Sequence, residues 1–302
     1  MVAAAIVLCL VSCKKDGVYK PGKQVAQILT VNDETGESSP YETWTWDGNQ
    51  LKSITYDYMK GHNPDTVETF TYDGKRLIAS DFGNTIHADY IYDGKRLIRI
   101  EASHLSEYYQ FYYNNYEFEY EGKKVSKIYH TINASLENKA MPLGMLRMLL
   151  PEPVCQQIQR DEEHDLAECT AEGTKEGSIV TRTYILTWKG SNIVRIDEEY
   201  NRETSGSSYT SVSEMTYDNN HNPFAGLNNY VRMFFENLTK DFSPNNIVTL
   251  KKASAYSDGP TNTGEDTYTY TYDSDGYPTS YLCVSNTNRI SSSFHRLIEY
   301  VE

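Results

Sequence analysis

Residues 72–78 read YDGKRLI, and residues 92–98 read YDGKRLI again. Each copy follows an alternating run, ETFTY at 68–72 and ADYIY at 88–92. Alternation of period two marks a strand with one buried face, and Asp-Gly between two such runs is a strong hairpin signal. Weaker relatives recur along the chain: WDGNQLKSI from Trp46, YEGKKVSKI from Tyr120 and WKGSNIVRI from Trp188. Two longer variants follow, YDNNHNPF from Tyr217 and YDSDGYPTS from Tyr272. A chain punctuated this way is all-β, built by repeating one hairpin.

The register can be tested on paper. If Asp73 and Gly74 are the central pair of a type I′ turn, Tyr72 faces Lys75 and Phe70 faces Leu77. The same rule pairs Trp44 with Leu51, Tyr90 with Leu97, Phe118 with Val125 and Leu186 with Ile193, each an apolar cross-strand pair. On the opposite face Glu119 meets Lys124. A four-residue loop would change the partners but keep the apolar residues on one face. DSDG at 273–276 predicts a different turn, type I with Gly276 left-handed and Asp273 capping locally, which makes a bulged hairpin. Successive hairpins give roughly 12 to 16 antiparallel strands, more than a flat sheet carries without curling or closing. The expected fold is a large up-and-down meander over residues 25–302, barrel-like or strongly curled. It carries two short helical insertions, near 133–178 and 222–246, the second ending at Ser243-Pro244.

Composition agrees with β-structure, since 26 of the 302 residues are Tyr, a strand former whose hydroxyl stays wet while its ring packs. The net charge of −14 would repel a phosphate backbone, so nucleic acid is not an expected partner. Residues 1–13, MVAAAIVLCLVSC, form an apolar run too short to span a bilayer, ending abruptly at KKDG. This is the pattern of a signal peptide. Its end, Leu10-Val11-Ser12-Cys13, resembles the bacterial lipobox. That resemblance implies cleavage before Cys13, acylation of Cys13, and a tether over residues 14–24. Cys155, Cys169 and Cys283 then remain in an oxidising compartment. Cys155 and Cys169 flank a short polar segment and could pair; three cysteines cannot all pair within one chain.

The Tyr-Asp-Gly hairpins are similar to the YD repeats of Rhs-type proteins. Lipobox, YD-like hairpins and the NPFAGL…SPNN insertion together resemble a Bacteroidota lipoprotein family of unknown function described as having a porin-like β-barrel domain. The resemblance covers roughly residues 25–302 and implies a large antiparallel barrel-like sheet in the cell envelope. It brings no catalytic residues. Alternating strands such as YEFEY would suit an outer-membrane barrel, but their apolar face is rich in tyrosine rather than aliphatics. A water-soluble barrel held at the membrane by Cys13 is the favoured arrangement, on the periplasmic or the cell-surface side of the outer membrane.

No HExxH, GxSxG, P-loop or Rossmann pattern is present, and no cofactor or metal site is expected. DEEHD at 161–165 reads as a solvated acidic loop, with a metal or substrate site as the sharper alternative. Asp65-Thr66-Val67 resembles the O-glycosylation motif of Bacteroidota exported proteins, which would place a sugar on Thr66. Trp44, Trp46 and Trp188 are candidate ligand-binding residues, since aromatic faces stack on sugar rings; otherwise they belong to the core. Two function classes follow. One is a non-enzymatic envelope lipoprotein that binds a glycan or an envelope protein. The alternative is an envelope hydrolase using a carboxylate pair in the barrel mouth.

Overall fold

The computed structural model describes residues 16–59, 66–106, 109–134, 178–202, 208–235, 242–256, 261–287 and 291–302. Among them are sixteen strands. The first eight are β1 (Val25–Val31), β2 (Ser38–Asp47), β3 (Gln50–Tyr56), β4 (Val67–Asp73), β5 (Arg76–Phe82), β6 (Ile86–Asp93), β7 (Arg96–Ser106) and β8 (Tyr109–Glu121). The others are β9 (Lys124–Ala134), β10 (Ser178–Lys189), β11 (Asn192–Arg202), β12 (Ser208–Tyr217), β13 (Ile247–Tyr256), β14 (Asn262–Tyr272), β15 (Pro278–Thr287) and β16 (Ser291–Tyr300). Each pairs antiparallel with its sequence neighbours, and β16 returns to β1, closing a barrel. Closure removes both sheet edges, which an open sheet of this width would expose to other chains.

The five two-residue hairpins at Gly48, Gly74, Gly94, Gly122 and Gly190 lie at one end, hereafter the turn end. Their register differs by one residue from the type I′ expectation. Asp73 pairs with Arg76 and Tyr72 with Leu77, so Gly74 and Lys75 are the central residues. Gly74 has φ +58 and Lys75 is not left-handed, the signature of a type II′ turn, which asks for Gly only at the first position. Gly48, Gly94, Gly122 and Gly190 repeat the geometry with φ between 56 and 62.

Beyond each turn the register then shifts: Tyr72 faces Leu77, but Thr71 faces Ala79. The extra residue, Ile78, is a bulge, and equivalent shifts occur in the other four short hairpins. The reason lies in the second strand. Leu51 and Ile54, Leu97 and Ile100, Val125 and Ile128, and Ile193 and Ile196 are all buried, at a spacing of three. Strict alternation would put such residues on opposite faces; one bulge returns both to the interior. Ile78 and Ile98 are the residues left over, and they are exposed. Trp44, Phe70, Tyr90, Phe118 and Leu186 therefore stay on the buried face but meet Ile54, Ser80, Ile100, Ile128 and Ile196. Glu119 faces Lys127 instead of Lys124. The DSDG hairpin is as expected: Gly276 has φ +79, and Asp273 Oδ1 accepts from the amides of Asp275 and Tyr277.

The bulge also explains the conserved spelling of the repeat. The Tyr before each Asp-Gly donates to the carbonyl of the bulge-flanking Leu one hairpin earlier. Tyr72 reaches Leu51 O at 2.8 Å, Tyr92 reaches Leu77 O at 2.7 Å, and Tyr120 reaches Leu97 O at 2.7 Å. Trp46 and Trp188 do the same through Nε1 to Val25 O and Val125 O. Tyr217, Tyr270 and Tyr300 complete the circuit on Ile193, Ile247 and Pro278. The basic residues carry a second link. Arg76 lies 4.5 Å above the Tyr92 ring and Arg96 5.2 Å above Tyr120, while Arg96 Nη2 also donates to Gly122 O. The two YDGKRLI hairpins are thus stitched to their neighbours by a ring hydroxyl and a cation. Tyr92→Phe is expected to lower the unfolding free energy by about 1 kcal/mol, whereas Ile78→Thr should stay within about 0.5 kcal/mol. Urea denaturation of both variants tests this, and equal effects would mean that the hydroxyl contributes nothing.

Two segments cover the turn end from inside. The chain engages the barrel from Asp16, not from residue 25: Asp16 Oδ2 accepts from Leu97 N and Tyr120 Oη, and Gly17 O accepts from Leu77 N. Lys23 then joins Asp273 at 2.7 Å and Asp275 at 2.6 Å. The second segment is the β12–β13 connection. It enters the lumen and forms α1 (Tyr230–Phe235), whose Tyr230, Val231, Arg232 and Met233 are all buried. This is the helical turn expected within 222–246; the insertion near 133–178 lies outside the described residues between Ala134 and Ser178.

Candidate functional site

The plug meets the barrel wall through a buried polar network. Asn229 caps α1, its Oδ1 accepting from Val231 N and Arg232 N, and its Nδ2 donates to Glu68 Oε2 at 2.7 Å. Arg232, 4% exposed, reaches both oxygens of Glu42, 1% exposed, at 3.0 and 2.9 Å. Trp44 Nε1 gives Glu42 Oε2 a further bond at 2.9 Å. Tyr230 N, an amide of the first helical turn, donates to Tyr90 Oη at 2.9 Å. The Arg232 charge is therefore matched by Glu42 across the wall–plug boundary.

Glu68 has no such cation in contact. Burial is the main cause that lifts its carboxyl from the usual 4.5 to about 7, against the opposing hydrogen bonds from Asn229, Tyr56 and Ser80 and the charge of Arg232. Burial likewise pushes the Tyr56 hydroxyl well up, so it remains a donor to Glu68 Oε2. Across the barrel, burial and the nearby Arg182 drive His130 down to about 3. Its ring stacks 4.1 Å from Tyr116 and meets Asn114 Oδ1.

Beside the plug, the wall from β13 round to β2 lines a cavity of about 40 Å³. That is room for about three waters or one substituent of a larger ligand. Glu42 and Arg232 form its polar lining with Asn222 and Asn246, and Tyr41, Tyr268, Tyr270 and Tyr281 supply rings. A belt of partly exposed aromatics continues from it. Tyr41 stacks on Tyr58 at 4.4 Å, and Tyr281 meets Phe294 edge-on at 6.1 Å. Arg296 lies between them, 3.9 Å above Tyr41 and 4.9 Å above Phe294.

The three tryptophans are not assembled into one groove. Trp44 is 4% exposed beneath Arg232 and Phe224, and the indoles of Trp46 and Trp188 belong to the stitching at the turn end, on β2 and β10. Thr66 is 2% exposed, so its hydroxyl would have to be uncovered before a sugar could be attached. Cys283 is a buried thiol. Cys13, Cys155, Cys169 and residues 161–165 lie outside the described residues. The residues that matter most inside were missed: Glu42, Glu68, Arg232 and Arg296. A signal existed. In YETWTW and VETFTY the glutamate occupies the parity of Trp44 and Phe70, so an inward carboxylate was readable from the alternation.

The outer wall is polar. Thr45, Thr69, Thr71, Glu117, Glu119, Thr267 and Thr269 are exposed on it, and single apolar residues such as Ile185 and Leu282 stand among them. A membrane-spanning barrel needs the reverse, an apolar outward band around a polar lumen. No family model and no curated relative matches the chain. Among solved structures the chain is similar to a porin-like protein from Bacteroides vulgatus ATCC 8482, with a TM-score of 0.51 and 10% identity, over 92% of this chain and 99% of that one. At that identity the likeness concerns the fold, a porin-like barrel.

Proposed function

We propose that the chain is a non-enzymatic binding barrel of the cell envelope, anchored by a lipid on Cys13 and taking a glycan at the aromatic belt of its open end. The observation that carries this reading is the polarity of the barrel. Its outside is dressed for water, and the turn-end half of its lumen is filled by its own chain. A filled lumen does not conduct, and a polar wall does not partition into hydrocarbon. The carboxylates of the lumen are engaged too: Glu42 is held by Arg232 and Trp44, Glu68 by Tyr56 and Asn229. A glycosidic bond has no space between two carboxylates packed against the plug. The hydrolase reading is accordingly the weaker one.

The anchor supports an orientation. Only two residues, Lys14 and Lys15, separate Cys13 from Asp16, which is fixed at the turn end, so three Cα–Cα steps join them. At roughly 3.5 Å per residue, the acyl group would hold the turn end about 10 Å from the bilayer. The aromatic belt would then face away from it. Cys13→Ala is expected to release the protein from membranes into the soluble fraction; retention in the pellet would argue against a lipid anchor. A glycan array probed with the purified full chain, with hydrolysis followed in parallel, is expected to give binding without cleavage. Product formation would favour the hydrolase.

A further inference from the structure

The turn end carries charge that the fold does not need. On the three neighbouring hairpins at Gly74, Gly94 and Gly122, six basic residues stand against three acids, Asp73, Asp93 and Glu121. In a chain of net charge −14 this arc has the opposite sign. Half of its cations have structural work. Arg76 and Arg96 lie over Tyr92 and Tyr120, and Lys124 lies over Trp188 and donates to Gly190 O. Lys75, Lys95 and Lys123 have none. Each is exposed at the tip of its turn, and among the described residues each lacks an ion-pair partner. Nor does the turn ask for lysine: Asn49 and Ser191 hold the same place after Gly48 and Gly190.

The tether leaves from the middle of this arc. Asp16 N donates to Lys95 O at 3.0 Å, and Asp16 Oδ2 accepts from Leu97 N and Tyr120 Oη. The chain toward Cys13 therefore starts at the central tip, and its next residues are Lys15 and Lys14. An acyl group on Cys13 would bring lipid headgroups to within about 10 Å of that tip. This is about one Debye length at 0.1 M salt, so the tip charges feel a charged surface. The other end of the barrel, a strand length away, does not. The tips at Asn49, Lys75, Lys95, Lys123 and Ser191 are all polar, which suits a headgroup layer and not the acyl region beneath it. A basic patch beside a lipid chain also makes a loose attachment a stable one.

We propose that Lys75, Lys95 and Lys123 dock on the anionic headgroups of the bilayer that holds Cys13, standing the barrel on its turn end. The assignment rests on the lipid-anchor reading given above and adds a second contact to it. Without an acyl chain three lysines bind weakly and reversibly, so Cys13→Ala still releases the protein from washed membranes. The purified full chain carrying Cys13→Ala tests the lysines alone. It is sedimented with phosphatidylcholine vesicles and with vesicles in which roughly a third of the lipid is phosphatidylglycerol. Residues 1–13 are common to every sample, so their own affinity for lipid cancels in the comparison. The anionic vesicles are expected to bind about tenfold more tightly or better in dilute salt, and the difference should close in concentrated salt. Lys75→Ser, Lys95→Ser and Lys123→Ser together should remove most of that preference. The unfolding midpoint should stay in place, since serine already serves at residue 191. Lys251→Ser with Lys252→Ser, exposed on β13, should keep the preference. Equal binding to both vesicles, a preference untouched by the triple change, or an equal loss in the β13 variant overturns the docking surface and leaves the Cys13 anchor to its own test. A native chain recovered in the soluble fraction overturns the anchor, while the vesicle comparison still judges the lysines.

Discussion

Arg232→Met is expected to lower the unfolding free energy by about 3–5 kcal/mol, the largest loss from any single polar side chain in the barrel. The substitution removes one partner of an ion pair whose members are 4% and 1% exposed, leaving the Glu42 carboxylate, bonded by the Trp44 indole, without its cation. A buried carboxylate in that state must either stay charged without a cation or take up a proton, and both are unfavourable at neutral pH. The cycle separates pair energy from packing. Glu42→Gln combined with Arg232→Met should recover most of the loss, since exchanging a whole buried pair for neutral groups is often close to neutral. Urea denaturation followed by tryptophan emission reads both, because Trp44 lies 5.7 Å from the guanidinium. A single-mutant loss below about 1 kcal/mol would show that the pair does not hold the plug.

The hairpin repeat was legible because its information is local. Alternation identifies strands and Asp-Gly locates turns, and both act over a handful of residues. Closure was only bounded, since strand number argues for curling without saying whether β16 meets β1. The register slipped by one because Asp-Gly was given both central turn positions; the structure uses Gly-Lys, and the bulge absorbs the difference. That bulge was written in the sequence as a spacing of three in LKSI, LIRI, VSKI and IVRI. The spacing looks irregular until a bulge is allowed.

The site was less legible for a physical reason. Its groups come from β1, β2, β15, β16 and the plug, brought together by closure, and no short motif contains two of its charged members. Arg232 sits 190 positions from Glu42. The tryptophans drew attention as sugar platforms, yet two of them do the work that tyrosine does in other repeats. Aromatic residues that serve the fold at every turn hide the few that are left partly open at the rim.

Glu68→Gln is expected to stabilise the protein increasingly between pH 4.5 and about 7, relative to the native chain, by about 3 kcal/mol in all. The sign follows from the direction of the shift. Burial raises the folded carboxyl from 4.5 to about 7, so within that window the folded state holds a proton that the unfolded state has lost. Stability from this group is complete below pH 4.5 and is lost as pH rises through about 7; glutamine cannot lose it. His130 slopes the other way. Its folded value near 3 lies below the usual 6.5, so its contribution is present above 6.5 and fades as pH falls toward 3. Raw stability curves mix these slopes, but His130 is common to both chains and cancels in their difference. The groups facing Glu68 come from several elements: Tyr56 from β3, Ser80 from β5, and Asn229 and Arg232 from the plug. Tyr56, Ser80 and Asn229 can still bond the amide oxygen or nitrogen of glutamine, so the variant should fold. Denaturant midpoints at pH 4, 5.5, 7 and 8.5 give the difference curve, and a flat one would place Glu68 in contact with water. A rise confined to that window would mean that the wall–plug junction is proton-linked, and that it tightens in acid.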